Sequence, residues 1–564
     1  MNMKVVIYQV LPRLFGNVNA TNARNGSIIE NGCGKMSAFS VKVLDEIRSM
    51  GVTHIWFTGV IEHASQTAYD EYGIAADNAD VVKGIAGSPY AIRDYYDIDP
   101  DIADSVPSRM DEFDALTGRC RAAGLKVLID FIPNHVARHY HSDCHPQGSV
   151  DLGAHDKASS AFDVNNNFYY LPGQLFTPPD GNQDSTRCYY EFPAKATGND
   201  CFTANPSRYD WYETVKLNYG IDYVNGNRCY FNPVPDTWYK MKNILLYWAS
   251  KHVDGFRCDM AEMVPVEFWQ WVIPAVKAAY PDVIFIAEVY NPQRYRDYFH
   301  RGKFDYLYDK VGLYDTLRDI ICNNRSANDI TYCWQALGEL QPRMLNFLEN
   351  HDEQRIASEY FASCPLKARP AFVVASAINT NAVMVYSGQE LGERGMNMEG
   401  FSGLDGRTTI FDYWSVDSIR DWYNDGKVNE ELLSDEQRAI RDFYIKVMRL
   451  CNESPAIREG KFFDLMYINP AGEHFNPHRQ FAWMRCADEE LLLLVANFDS
   501  RDVEINIFIP ENAFNYFELH NISFSYAQDL LSGEDMPATI GKNSSYSMRV
   551  RAHDARIVSF YHRR

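Results

Sequence analysis

Val253-Asp254-Gly255-Phe256-Arg257-Cys258-Asp259-Met260-Ala261-Glu262 has the features of a short buried strand that ends on an acidic residue. Successive side chains of a strand point to opposite faces, so Arg257 and Asp259 share one face while Phe256 and Cys258 share the other. A guanidinium beside a carboxylate holds that carboxylate in its ionised form. Because a charge pair on a buried strand is costly, the segment indicates either a functional site or a structural ion pair.

Three further apolar runs end on polar residues in the same way. They are Lys126–His135 with Asp130, Asn134 and His135, Val283–Glu288, and Met344–Asp352 with Asn350, His351 and Asp352. Catalytic residues at the C-terminal ends of several strands are typical of a (β/α)8 barrel. Runs with strand and helix patterns alternate along the first 450 residues, and they predict eight such strands.

Two other regions depart from this alternation. The stretch from His135 to about Asn225 is irregular, and it is too long to be a simple loop between a strand and its helix. Beyond the helix predicted over Leu432–Leu450, short runs with period-two alternation are separated by Pro, Gly and Asn. That pattern predicts an antiparallel β-domain at the C-terminal end of the sequence.

The four polar strand ends resemble, in order and spacing, the four signature regions of the α-amylase family, glycoside hydrolase family 13. The resemblance implies an α/β fold, a (β/α)8 TIM barrel with a B domain inserted after strand 3 and a C-terminal antiparallel β-sandwich domain. We therefore expect barrel domain A in residues 1–135 and 226–454, domain B in residues 136–225, and the β-domain in residues 455–564.

The resemblance also implies the catalytic roles. Asp259 corresponds to the nucleophile, Glu288 to the acid/base, and Asp352 to a third carboxylate that holds sugar hydroxyls. Two carboxyl groups about 5–5.5 Å apart can cleave a glycosidic bond with retention of configuration. From the residues themselves, Arg257 should lower the pKa of Asp259, whereas Glu288 has no cation adjacent in sequence and should hold a proton more readily.

Five residues are predicted to support these acids. By resemblance, Tyr90 stacks on the sugar that is cleaved. His135, His351 and Arg257 bind the substrate, and Arg257 also lies beside the carboxylate of Asp259. Asp130 is expected to hydrogen-bond to these groups from behind. Tyr90 has a plain alternative as an ordinary loop tyrosine, since Ser88-Pro89 stands where relatives often have His-Gly. The alternative for His135 and His351 is that they are buried structural histidines.

No metal or cofactor is predicted, and calcium is the alternative. Asn134 matches a calcium ligand of the family. However, this chain has Glu262-Met263 where many relatives have Lys-His, and that histidine contributes to the calcium site. One matching ligand does not make a calcium site.

Composition limits the partners and the compartment. The formal charge of −21 over 564 residues argues against nucleic acid. The twelve cysteines are scattered and contain no CxxC pair, which favours reduced thiols in a cytoplasm. Val5–Leu11 is too short for the apolar region of a signal peptide, and no apolar run is long enough to span a membrane. The predicted partner is an α-glucan or maltooligosaccharide, and the oligomeric state stays open.

Three functions are compatible with these features. The first is a retaining hydrolase of α-1,4-glucosidic bonds. The second is a transglycosylase, either a 4-α-glucanotransferase or a maltosyltransferase. The segments Ser88-Pro89-Tyr90 and Leu217–Gly220 resemble those of maltosyltransferase-type relatives. The third is a catalytically inactive scaffold, because some relatives are transporter subunits; such relatives lose the catalytic carboxylates that this chain retains. The sequence does not distinguish endo from exo action.

Overall fold

A closed barrel of eight parallel strands forms the centre of the computed structural model, which describes residues 3–179, 188–520 and 522–562. The strands are β1 Val6–Val10, β2 His54–Phe57, β3 Lys126–Phe131, β4 Gly255–Cys258, β5 Ile284–Ala287, β6 Tyr306–Tyr308, β7 Met344–Phe347 and β8 Ala382–Tyr386. Each strand pairs with its neighbours in chain order, and β8 closes on β1. The predicted (β/α)8 barrel is confirmed.

Apolar side chains fill the lower part of the barrel, and charged ones lie near its C-terminal end. The interior cluster includes Ile7, Trp56, Leu128, Ile286, Leu345 and Met384, all buried. In the strand register, Arg257 of β4 stands opposite Asp130 of β3. The barrel is therefore a packed core that presents ionisable groups only where its strands end.

Helices surround the barrel. Their bounds are Ile28–Asn31, Val41–Ser49, Arg109–Ala122, Asp236–Ser250, Val266–Ala279, Tyr295–His300, Asp315–Ile321, Asp329–Leu337, Arg369–Ala377, Asp417–Tyr423, Asp435–Glu453 and Pro455–Glu459. Ser434 and Gln437 form a capping box that starts Asp435–Glu453. Within the described ranges, every helix is too short or too polar to cross a membrane.

Residues 132–235, which we call the inserted lobe, leave the barrel after β3. The lobe contains three two-stranded antiparallel sheets: His135–Ala137 with Thr214–Lys216, Tyr170–Leu171 with Ala194–Lys195, and Ile221–Asp222 with Arg228–Cys229. Residues 180–187, which fall inside the predicted domain B, lie outside the described residues. A small core joins the lobe to Val81, in the loop after β2, through Leu171 and Phe176. The proposed domain bounds stay predictions.

Antiparallel β structure follows the last helices. One sheet contains Lys461–Asp464, Gln480–Ala487, Glu490–Asn497, Asp554–His562 and Phe524–Asp529 in that spatial order, and a second pairs Val503–Ile509 with Ser544–Val550. The short helix Glu511–Tyr516 follows strand Val503–Ile509 and precedes strand Phe524–Asp529. Tyr546 packs edge-on against Phe560 with ring centroids 5.3 Å apart, so the two sheets share a core. The predicted β-sandwich is confirmed.

Candidate active site

The guanidinium of Arg257 joins the two predicted catalytic carboxylates. Its Nη1 lies 2.6 Å from Oδ1 of Asp259, and its Nη2 lies 2.6 Å from Oε1 of Glu288. Arg257 is fully buried at the end of β4, where its Nε also donates to the hydroxyl of Tyr308 at 3.2 Å. The two acids therefore flank one cation at the C-terminal end of the barrel.

Glu288 receives two further hydrogen bonds. The hydroxyl of Tyr290 donates to Oε1 at 2.7 Å, and the backbone N–H of Met260 donates to Oε2 at 2.7 Å. Met260 has a φ of 43°, in the left-handed region that non-glycine residues rarely adopt. This turn directly after Asp259 aims the N–H of Met260 at the neighbouring acid, which is the kind of backbone strain found at functional sites.

The geometry corrects two expectations about ionisation. Glu288 has no cation beside it in sequence, but β4 and β5 are neighbours in the barrel and bring Arg257 to it. The pKa of Asp259 was expected to fall because of Arg257. Burial instead raises that pKa, and Glu288 and Asp130 raise it further, while Arg257 opposes them.

Four carboxyl groups therefore share one guanidinium. Asp130 and Asp352 interact electrostatically with Asp259, as Glu288 does. Like charges this close disfavour one another's ionisation, so the protonation of each carboxyl group depends on the others.

Asp130 lies within the barrel and contacts several residues of the site. Its Oδ2 accepts a hydrogen bond from Nε1 of Trp56 at 2.9 Å, and its Oδ1 lies 3.4 Å from Nη1 of Arg257 and accepts from the hydroxyl of Tyr90 at 3.3 Å. Burial raises the pKa of Asp130 to about 7, although Arg257 lowers it. Asp130 thus orients an arginine and a tyrosine that face the acids.

Tyr90, His351 and Asp352 form one contact chain. The hydroxyl of Tyr90 lies 2.6 Å from Nε2 of His351, and the two rings are stacked at 5.1 Å. Nε2 of His351 also lies 3.1 Å from Oδ2 of Asp352, whose side chain is 43% exposed. The amide of Asn350 caps the turn by accepting from the backbone N–H of Asp352 at 2.9 Å. Asp352 is therefore held at the cavity wall but remains accessible.

The two predicted histidines are neutral in this environment. Burial, helped by nearby cations, lowers the pKa of both His135 and His351 to about 3. His135 packs against the ring of Trp211 at a centroid distance of 5.2 Å. A neutral imidazole can donate and accept hydrogen bonds, which suits contact with sugar hydroxyls.

Most of these residues line a cavity of about 320 Å³. Tyr90, His135, Asp259, Glu288 and Asp352 all reach it, whereas Arg257, Asp130 and His351 are buried behind it. Sequence reasoning missed several further lining residues, namely Lys83, Trp211, Glu213, Thr214, Met260, Tyr290, Ile410 and Phe411. They come from the loops after β2, β4, β5 and β8 and from the inserted lobe, where no strand pattern marks them.

Glu262 holds the loop that carries the acid. Its two carboxylate oxygens accept hydrogen bonds from the backbone N–H groups of Tyr290 and Asn291, at 3.0 and 3.2 Å. Glu262 stands where many relatives have a lysine that contacts sugar. In this chain the carboxylate fixes the turn after Glu288 instead of facing the leaving group.

The residues near Asn134 do not fit calcium. Nζ of Lys216 lies 2.5 Å from Oδ1 of Asn134, 2.6 Å from Oδ1 of Asp200 and 3.4 Å from the carbonyl oxygen of Met263. Asn134 and Met263 stand at the positions that the resemblance links to calcium. A buried ammonium occupies the oxygen atoms that a calcium ion would need as ligands. Burial lowers the pKa of Lys216, and Asp200 opposes that shift.

Two acidic groupings elsewhere bring potential ligand atoms within 4.8 Å of one another: Asp94 with Asp143 and Cys144, and Glu62 with Asp97 and Asp143. Arg109 pairs with Asp97, and Arg93 lies 3.7 Å from Glu62. These arginines pair with the second grouping, and Oδ2 of Asp94 in the first accepts from the backbone N–H groups of Asp143 and Cys144, so we assign no metal to either grouping.

Comparisons with known proteins agree with the fold. A family profile described as alpha amylase, catalytic domain, matches residues 9–448. An alpha-1,4-glucan:maltose-1-phosphate maltosyltransferase from Cereibacter sphaeroides is 39% identical over 94 residues, which cover 15% of this chain and 16% of that protein. Alpha-amylase MalA from Haloarcula japonica is 26% identical over 358 residues, which cover 62% of this chain and 41% of MalA.

Four maltosyltransferase relatives match over 9–28% of their own lengths, so this chain spans less than a third of each. Among solved structures, a maltogenic alpha-amylase AmyB from Thermotoga neapolitana has a TM-score of 0.62 and 20% identity, with 99% of both chains covered. At this level of identity the likeness concerns the fold alone.

Proposed function

This chain belongs to the α-amylase family, and we propose that it is a retaining glycoside hydrolase that cleaves α-1,4-glucosidic bonds. The proposed substrates are starch- or glycogen-type glucans and maltooligosaccharides. The observation that carries the proposal is the contact of Arg257 with both Asp259 and Glu288 at 2.6 Å, beside a cavity at the barrel's C-terminal end. Two carboxyl groups that flank a sugar-sized space are the machinery of glycoside hydrolysis.

The first step forms a covalent intermediate. An oxygen of Asp259 attacks the anomeric carbon while the bond to the leaving sugar's oxygen breaks, and Glu288 gives its proton to that oxygen. Arg257 holds the two carboxyl groups in place. Asp352, His135 and His351 would hydrogen-bond to hydroxyls of the sugar as positive charge develops on its ring.

The second step releases the sugar. Water enters where the leaving sugar was, Glu288 takes a proton from it, and the new hydroxyl displaces Asp259 from the anomeric carbon. Two inversions at one carbon give net retention. Both carboxyl groups then return to their starting protonation states.

A transglycosylase is the second candidate, and the four maltosyltransferase relatives are the observation that favours it. In that case a sugar hydroxyl, rather than water, attacks the same intermediate. A sugar phosphate donor would place a phosphate beside Glu288, where a cation would be needed to bind it. Among the described lining residues, Met260 and Tyr290 lie on that side, and the cation Lys83 comes from the distant loop after β2. This distribution of charge argues against a sugar-phosphate donor.

Product analysis tests the proposal. The purified protein is incubated with maltoheptaose, with and without a large excess of glucose or inorganic phosphate. Shorter maltooligosaccharides that do not depend on the acceptor are the expected result. Longer oligomers, or a maltosyl phosphate, would assign the transferase instead, and the absence of any product would favour the inactive scaffold.

We also propose that the protein works in a reducing compartment such as the cytoplasm. Cys120, Cys258, Cys451 and Cys486 are buried free thiols. Buried free thiols suit a compartment that keeps cysteines reduced. Mass spectrometry after alkylation of protein from its native cell would detect disulfides if the proposal were wrong.

A further inference from the structure

One wall of the cavity is made by three chain segments that contact one another. Nζ of Lys83, in the loop after β2, lies 2.9 Å from Oε1 of Glu213 in the inserted lobe. The same loop reaches the loop after β8, because the backbone N–H of Ala86 donates to the carbonyl oxygen of Phe411 at 3.0 Å. These contacts join the lobe, the loop after β2 and the loop after β8 along one side of the cavity.

This wall lies on the side away from the acid catalyst. Glu288 directly follows β5, and its partner Met260 follows β4, whereas the wall comes from the loops after β2, β3 and β8. An acid that protonates the leaving oxygen must lie beside the leaving sugar. The leaving sugar therefore sits towards β4 and β5, and the sugar that bonds to Asp259 extends towards the wall.

Glu213 is part of this wall and has one carboxylate oxygen that is covered but unpaired within the described ranges. The residue is 4% exposed and lines the cavity, and its Oε2 is buried without a donor among the described residues. An unpaired buried carboxylate oxygen is costly unless a ligand supplies the donor. Trp211, two residues earlier, adds a flat apolar ring to the same wall. A sugar has hydroxyl groups that can donate to a carboxylate and a ring face that can pack on an aromatic side chain, so it matches both residues.

We propose that the Lys83–Glu213 pair binds the non-reducing end of the substrate and makes this protein exo-acting. The inference rests on the proposed glycosidase function and adds the substrate class. The substrates are chains with a free non-reducing end, and each cleavage releases a short oligosaccharide of constant length. The cavity of about 320 Å³ is at the lower end of the range for small-molecule pockets, about 300–1,000 Å³, which suits a short glycone.

The test compares two maltoheptaose chains, one with a free non-reducing end and one whose terminal 4- and 6-hydroxyls are joined in an ethylidene acetal. Loss of the intact chain is followed by chromatography. The blocked chain should react about tenfold more slowly or worse, the effect of losing a hydrogen bond to a charged group. Equal rates for both chains would overturn the inference.

Variants locate the effect at the pair. Glu213→Ala and Lys83→Met should each bring the ratio of the two rates closer to one. Lys195→Met is the matched control, because Lys195 also pairs with a lobe glutamate, Glu191, at 3.5 Å but does not line the cavity. Its ratio should equal that of the unmodified protein. An unchanged ratio in both Glu213→Ala and Lys83→Met would contradict the assignment.

A binding measurement separates this inference from the proposed function. If neither chain is cleaved, the proposed hydrolysis fails, and calorimetry on the Asp259→Asn protein then decides the inference. Maltotriose with a free end should bind about tenfold more tightly than maltotriose with the acetal. Equal affinities, or equal absence of binding, would overturn the role of Lys83 and Glu213.

Discussion

Nη2 of Arg257 lies 2.6 Å from Oε1 of Glu288, so a side chain of β4 contacts the carboxylate that follows β5. The same guanidinium contacts Asp259. Movement of either acid therefore changes the electrostatic environment of the other. The catalytic predictions below depend on this coupling, because each removes one acid and leaves Arg257 in place.

Replacing the nucleophile should abolish turnover and preserve the fold. Asp259→Asn is nearly isosteric and keeps a hydrogen-bond acceptor for Arg257, but an amide cannot form the glycosyl ester. We expect kcat on maltoheptaose to fall on the order of 10⁴-fold or more. Asp45→Asn, at an exposed helix position, is the matched control. Near-normal rates with unchanged circular dichroism would rule out Asp259 as nucleophile.

Replacing the acid should affect substrates unequally. Glu288→Gln removes the proton donor and keeps a single acceptor oxygen, whereas Glu288 offers one oxygen to Tyr290 and the other to the N–H of Met260. With maltooligosaccharides we expect the first step to slow by roughly 10²–10⁴-fold. An aryl glycoside with a good leaving group needs no protonation, so its burst of released phenol should persist. The acid role is wrong if both substrates lose the same factor in that burst.

Calcium should be dispensable, and Lys216 should explain why. We expect a chelator to leave the activity and the melting temperature of the protein unchanged. Lys216→Met leaves Asn134 and the partly exposed Asp200 unpaired, which should lower the free energy of unfolding by about 1–3 kcal/mol. Lys157→Met removes an exposed lobe ion pair and should cost less than about 1 kcal/mol.

A second variant makes the calcium prediction sharper. Lys216→Asp replaces the ammonium with a carboxylate and leaves a cluster of oxygen atoms from Asn134, Asp200 and Met263. Such a cluster has the ligand chemistry of calcium. Millimolar calcium should therefore raise the melting temperature of this variant, but not that of the unmodified protein. A chelator that destabilises the unmodified protein would refute the assignment.

Acid should destabilise the protein partly through His54. Burial in β2 lowers the pKa of His54 from 6.5 to about 3. Between pH 6.5 and about 3, His54 is therefore protonated in the unfolded chain and neutral in the folded protein. The stabilising contribution is fully present above pH 6.5 and is lost as the pH falls towards 3, by about 1.4 kcal/mol per pH unit.

Urea unfolding at several pH values checks this prediction. The free energy of unfolding of His54→Gln should fall less steeply below pH 6.5 than that of the unmodified protein, while His135 and His351 contribute equally to both. His155→Gln, at an exposed position, should follow the unmodified protein. Parallel curves for His54→Gln and the unmodified protein would show that His54 does not titrate as stated.

The sequence predicted the residues that follow barrel strands, because local patterns fix where a strand ends. Asp130, Asp259, Glu288 and Asp352 each lie in or directly after an apolar run, and parallel strands bring their ends together. The contact of Arg257 with Glu288 was not predicted. It depends on which strands are neighbours and on how far a long side chain reaches, and neither is visible in a local pattern.

The cavity wall was also beyond sequence analysis. Lys83 and Glu213 are 130 positions apart in the numbering, and only the packing of the inserted lobe against the loop after β2 brings them together. Lys216 directly precedes the segment Leu217–Gly220, and no local pattern marks it. Its contact with Asn134 spans 82 positions and depends on the pairing of His135–Ala137 with Thr214–Lys216.

The ammonium of Lys216 has a consequence for the environments in which the protein can work. A bound ion stabilises a fold by an amount that grows with the logarithm of its free concentration, so dilution or competition weakens it. Lys216 is covalently part of the chain, and its local concentration at Asn134 and Asp200 is fixed by the backbone. Phosphate-rich or ion-poor media would then leave this corner of the molecule intact, and each new chain would carry its own cation from the moment it is synthesised.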